Sequence, residues 1–161
     1  MHRNALGDLS TGSLISLAVL ALACLFAAWL DVRHRRIPNG LCAATAVAGL
    51  LGGYFLGGTS GLLSNALHCL AALVGGMVLF KLGVFGGGDA KFYAAVAAWF
   101  ALAKGILLLV AVTLSGVALL IVWFTYRRVA GLPIGRKAGS GFDGLPYGIA
   151  IGAGALITAT L

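Results

Sequence analysis

Two aspartates carry the chemistry this chain can offer. It has four acidic residues, Asp8, Asp31, Asp89 and Asp143, and no glutamate. Asp89 ends the run Gly86-Gly87-Gly88 and is followed by Ala90-Lys91, while Asp31 closes an apolar run and precedes Arg33, Arg35 and Arg36. A carboxylate at the margin of an apolar phase loses hydration in its charged form, so its presence there needs a reason. Adjacent glycines supply one: without Cβ atoms they let another backbone, or a substrate strand, come close. Two carboxylates a few ångströms apart cannot both ionise, so they share a proton and titrate as a pair. The ionised member can take a proton from water as it attacks a peptide carbonyl; the protonated member donates to the carbonyl oxygen and then to the leaving amine. Plainer readings exist for each acid. Asp89 could cap a helix after a flexible connector, and Asp31 could be an interfacial acid neutralised by its arginines. Asp143, before Gly144-Leu145-Pro146, suits a cap or a solvated loop.

The solvent around these acids follows from composition. The chain is 61% hydrophobic and only 9% charged, with a mean hydropathy of +1.06. A soluble domain of 161 residues needs far more polar surface than this. The expected class is therefore an all-α, polytopic membrane protein in contact with the lipid bilayer. A net charge of +7 could suggest nucleic acid. The basic residues, however, sit in short clusters between apolar runs, a topological pattern that argues for no nucleic acid partner. Cys24, Cys42 and Cys69 lie singly within apolar runs and read as packing residues, with neither a disulfide framework nor a metal site expected.

Six spans, making one domain over 1–161, would position the acids. The first covers about 14–30, roughly 26 Å of helix. A cleaved signal is disfavoured because the arginine cluster follows the apolar run. Ile37-Pro38-Asn39 breaks the chain and starts a second helix, about 40–56, with Pro38 near its first turn. Gly49, Gly53 and Gly57 give that helix a small-residue seam for close packing. A turn at 58–61 leads to a third helix, about 62–82, in which His68 is read as a neutral packing or hydrogen-bonding residue. The fourth, about 90–103, reaches only about 21 Å. It either starts below the membrane surface, with Asp89 already at depth, or is partly re-entrant. The fifth spans about 106–126 and the sixth about 145–161, with Gly148 and Gly152 as another close-packing pair.

Charge orients this arrangement. With the N-terminus outside, nine basic residues fall on the inner side: Arg33, Arg35, Arg36, Lys81, Lys91, Arg127, Arg128, Arg136 and Lys137. Arg3 and Lys104 fall outside. That asymmetry is the one cytoplasmic loops show. It puts Asp31 and Asp89 level with each other at the cytoplasmic face.

Three ordered motifs extend this reading. Asp31 with its basic run and Ile37-Pro38-Asn39, then Gly86-Gly87-Gly88-Asp89-Ala90-Lys91, then Leu145-Pro146-Tyr147-Gly148 together resemble the type IV prepilin peptidase family across nearly the whole chain. These are membrane aspartyl proteases with a G-x-G-D motif, met here as Gly86-x-Gly88-Asp89. The resemblance implies cleavage of a short basic leader from prepilins or pseudopilins, on the cytoplasmic side of the bacterial inner membrane, just before the hydrophobic pilin helix. It makes Asp31 and Asp89 the catalytic pair, with no cofactor or metal. Gly86, Gly88, Lys91, Pro38, Asn39, Pro146 and Tyr147 become supporting or substrate-binding residues.

Larger members carry a cytoplasmic cysteine-containing domain before the first catalytic aspartate and often methylate the new N-terminus. Here Asp31 follows the first helix directly, so the chain resembles the compact type serving Flp, or tight-adherence, pili, and methyltransferase activity is not expected. The oligomeric state is left open by the sequence. The alternative function is a small transporter or channel subunit, with the same aspartates relaying protons or binding a cation.

Overall fold

A computed structural model of the chain describes residues 11–83, 86–131 and 146–161. Among them the protein is all-α: α1 Thr11–His34, α2 Asn39–Lys81, α3 Gly87–Ala97, a 3-10 turn at Leu102–Lys104, α4 Gly105–Val129 and α5 Tyr147–Thr160. Asp8, Arg136, Lys137, Asp143 and Leu145 lie outside the described residues. Three helical stretches, Thr11–His34, Asn39–Lys81 and Leu102–Val129, are long and apolar enough to cross a membrane. Large apolar side chains such as Leu22, Phe55, Ile106 and Val122 stand exposed along them. An outward-facing apolar surface of this extent fits a bilayer rather than water. The chain is an all-α membrane protein.

The second and third expected helices are two arms of α2, and the chain turns back between them. Gly58 takes φ 63°, ψ −154°, a conformation that a side chain would resist. It separates the arms 39–57 and 59–81, and the expected turn at 58–61 narrows to this residue. A Cβ built on Gly61 would overlap the carbonyl oxygen of Gly53, and one on Gly53 would overlap the Asn65 amide. The hairpin can close because these positions lack side chains. In the expected seam, Gly49 faces Trp99 and Gly53 faces the returning arm, but Gly57 meets nothing within 4 Å.

Helix α1 runs past its apolar segment to His34, so Asp31 lies within the helix rather than at its end. Arg33 and His34 occupy the last turn, where positive charge complements the helix dipole. The chain then leaves through Arg35 in a left-handed conformation, φ 53°, a common helix exit. Leu20, Cys24, Ala27 and Asp31 are the buried residues of α1. Their spacing of four, three and four puts them on one face.

Helix α3 is the inner element. It starts at Gly87, earlier than the expected 90, and ends at Ala97, about 16 Å long. Ala90, Phe92 and Ala94 to Ala97 are all buried. Its end does not fray into lipid, because the 59–81 arm and Trp99 supply partners. Asn65 Nδ2 donates to the Ala98 carbonyl at 3.0 Å, Ser64 Oγ accepts from Leu102 N at 3.0 Å, and Trp99 Nε1 donates to the Thr45 carbonyl at 2.9 Å. His68 Nδ1 lies 3.0 Å from the Phe100 carbonyl oxygen. That oxygen can only accept, so Nδ1 carries the proton, and His68 is the hydrogen-bonding residue expected. An irregular backbone inside a membrane is tolerated only when so satisfied.

The hairpin of α2 embraces α3, while α5 packs between α1 and α4 and also touches α3. A Cβ on Gly152 would lie 3.1 Å from Cys24 Cβ, and one on Gly148 would lie 3.1 Å from Asp31 Cβ. Since 24 precedes 31 while 152 follows 148, α1 and α5 run antiparallel.

Candidate active site

Four helix ends bring the candidate residues to one end of the bundle: the C-terminal turn of α1 and the first turns of α2, α3 and α5. Lys104 marks the opposite end, with Nζ 3.5 Å from the carbonyl of Thr158 at the end of α5.

Asp31 is buried, at 8% exposure. Its Oδ2 accepts a hydrogen bond from the backbone N–H of Gly148 at 2.8 Å. Pro146 is the N-cap of α5, so Gly148 presents one of the N–H groups that the helix itself leaves unpaired. A helix N-terminus favours a carboxylate both by hydrogen bonding and by its dipole. Gly148 was expected as a packing residue and as the end of the third motif, not as a hydrogen-bond donor. Its role as donor to Asp31 is the part of the site that sequence reasoning missed. The available signal was its place two residues after Pro146, in the first turn of a helix.

Asp89 sits at the third position of α3, half-buried and outside the three candidate spans. The N-cap is Gly86, in extended conformation and with no side-chain cap hydrogen bond, so the capping role considered for Asp89 is not the one observed. Asp89 Oδ2 instead folds back over Gly86, 2.5 Å from where a Cβ on that residue would be. Burial first, and then the charge of Asp31, push the Asp89 carboxyl up from 3.8 to about 6. The two acids, fifty-eight residues apart in sequence, are therefore electrostatic neighbours.

The supporting residues divide. Lys91 Nζ donates to Asn39 Oδ1 at 3.1 Å, tying the first turn of α3 to the first residue of α2. Pro38 is the N-cap of α2, not a first-turn residue, and its carbonyl accepts from Leu41 N at 3.0 Å and Cys42 N at 3.2 Å. Tyr147 begins α5 and approaches α4, its ring 3.8 Å from a Cβ built on Gly116. Gly88 lies beside the backbone that precedes α2. The nearest atom to a Cβ there is the Ile37 nitrogen at 3.9 Å, an ordinary contact. Within the protein it is Gly86, not Gly88, whose missing side chain makes room for the acid.

Two carboxyls of unequal environment thus stand at one end of an apolar bundle. One is held by a backbone donor, the other is inclined to keep its proton. Such a pair can divide base and acid roles between its members. No curated protein and no solved structure matches the chain. The model of the type IV leader peptidase family matches residues 18–122, a stretch that contains both aspartates, and the chain belongs to that family.

Proposed function

We propose that this protein is a membrane aspartyl endopeptidase that removes leader peptides from prepilins or pseudopilins, using Asp31 and Asp89 as a water-activating pair. Family membership makes it a leader-peptidase-type protease acting on prepilin substrates in a membrane setting. The observation that carries the finer reading is the electrostatic coupling of the two acids, with Asp89 raised to about 6 by burial and by Asp31.

Each group has a distinct task. Asp31, its Oδ2 already accepting the Gly148 N–H, is the base that removes a proton from the attacking water. Asp89 holds the proton that goes to the carbonyl oxygen of the scissile peptide. As the tetrahedral intermediate collapses, Asp31 delivers the proton it took from water to the leaving amine, and Asp89 takes back a proton from the hydroxyl that becomes the product carbonyl, so both acids return to their starting states. The Lys91–Asn39 bond fixes the turn that carries Asp89. The positive-charge asymmetry supports an active site on the cytoplasmic side of the inner membrane. The place of Asp31 within α1 itself, with no domain between the first apolar segment and the acid, favours the compact Flp type without methyltransferase activity. The transporter alternative draws no support from the family, and His68, bonded to the Phe100 carbonyl, does not extend an ionic path from the acids.

The test is co-expression with a tagged prepilin. Asp31→Asn and Asp89→Asn should each abolish the shortened product, with the double variant no worse than either single, because the pair acts as a unit. Asp143→Asn should retain substantial cleavage. Trimming by protein lacking both Asp31 and Asp89, or an absolute need for Asp143 alone, would refute the assignment.

A further inference from the structure

The 59–81 arm of α2 packs on α3, α4 packs on α5, and between these two pairs lies a cavity of about 830 Å³. Among the described residues none that lines it is charged. Of its polar side chains, Thr113 gives its hydroxyl proton to the Leu109 carbonyl, at 2.7 Å. His68 is different. It is buried, at 4% exposure, and its Nδ1 donates to the Phe100 carbonyl. That leaves Nε2 of the neutral ring as an acceptor with a free lone pair. Among the described residues nothing donates to it. The enclosed side-chain atoms that lack a partner are Thr45 Oγ1 and Arg127 Nε. His68 Nε2 is not one of them, so it borders open space, and the space that His68 lines is this cavity.

We propose that the cavity binds an uncharged single-chain amphiphile, whose hydroxyl donates to His68 Nε2 and whose hydrocarbon chain runs along α2 and α4 toward Ala90. The site lies apart from the two acids and stands independently of the peptidase reading. A buried acceptor without a donor is costly, and a hydroxyl removes that cost. Water is a poor substitute, because a buried water needs two to four polar partners. Gly105, against which Nε2 lies, and the lining Leu102 and Ile106 offer no polar side-chain atom. A long-chain carboxylate is rejected twice: its charge finds no counter-charge in the lining, and it has only lone pairs to present to Nε2. From His68 to Leu79 the α2 wall is about 16 Å long, close to the extended length of a dodecyl chain.

The probe is 1-dodecanol, set against dodecyl methyl ether, which has the same chain but no proton to donate. Both are added to full-length protein in lipid nanodiscs. A dodecanol carrying a mid-chain diazirine should label residues within 71–79 and 106–120, the cavity walls. Unlabelled dodecanol should displace it at about tenfold lower concentration than the ether, as fits one hydrogen bond made in an apolar phase. With nitrogen-15 histidine, the Nε2 resonance of His68 should move on adding dodecanol and stay fixed with the ether. Gly75→Trp, placed where a Cβ meets nothing within 4 Å, fills the cavity and should abolish the labelling. Leu70→Trp, on the same arm but exposed, should not. A glycerol monoester of the same chain that displaces the probe equally identifies a membrane glyceride as the source; one that fails identifies a free long-chain alcohol. Equal displacement by the ether, a fixed Nε2 resonance, or labelling as dense on the lipid-facing side of α1 as in the cavity would each overturn the site. These three are read on unaltered protein, so misfolding of Gly75→Trp would not shield the proposal.

Discussion

Replacing Gly86 with alanine tests whether the glycine run serves the acid or merely links two helices. A Cβ at this position would stand 2.5 Å from Asp89 Oδ2. Heavy atoms ordinarily approach to about 3.5 Å, so the carboxylate must move by about 1 Å. Rotating the end of one side chain costs the fold little, and Gly86 itself has φ −72° and ψ 143°, a conformation that alanine adopts freely. Membrane insertion and thermal stability should therefore be unchanged. Catalysis is less tolerant: a displacement of about 1 Å in a reacting group can cost about a hundredfold in rate, or about 2.7 kcal/mol in the barrier. Gly88→Ala is the companion. Its Cβ would meet only the Ile37 nitrogen, at 3.9 Å, and alanine within a helix is favoured over glycine by about 0.5–1 kcal/mol. Any loss of cleavage in that variant must come from the substrate passing close by. The assay is the initial rate of prepilin shortening by purified protein in lipid nanodiscs, alongside a thermal unfolding curve. Full activity in Gly86→Ala would refute the claim that this glycine makes room for a catalytic carboxylate.

Two further outcomes follow from the charges. Because the Asp89 carboxyl sits near 6 rather than 3.8, the folded state binds its proton more tightly than the unfolded chain does. The contribution to stability is full below about pH 4 and is lost as pH rises through about 6. Asp89→Asn removes that loss, so this variant should unfold at a higher temperature than wild type at pH 8, with the difference shrinking at pH 5; an equal offset at both pH values would contradict a buried, proton-retaining Asp89. Single cysteines placed at 33–36 or 127–131, in a chain lacking Cys24, Cys42 and Cys69, should resist an impermeant thiol reagent applied to intact cells, and labelling at either place would reverse the proposed orientation.

Much of the protein was legible in its one-dimensional pattern because a bilayer punishes misplacement. Apolar runs of about twenty residues leave few choices beyond membrane helices, and an aspartate beside them must be justified by chemistry or pairing. Hence Asp31 and Asp89 stood out, and His68 could be read as a hydrogen-bonding interior residue. Motif order carried the family. The limits of the short α3 were less legible. Its end is set by Asn65, Ser64 and His68, which are remote in sequence and compete for the carbonyl and N–H groups that would have continued the helix. The division between Gly86 and Gly88 was equally hidden, since both are glycines in one run and only the fold-back of Asp89 distinguishes them. Gly148 is the clearest case. As a residue type it offers nothing but absence of a side chain, and what it gives Asp31 is a backbone N–H. Sequence determines that such a group exists near the start of a helix; only the antiparallel packing of α5 on α1 decides that it points at a carboxylate 117 residues away.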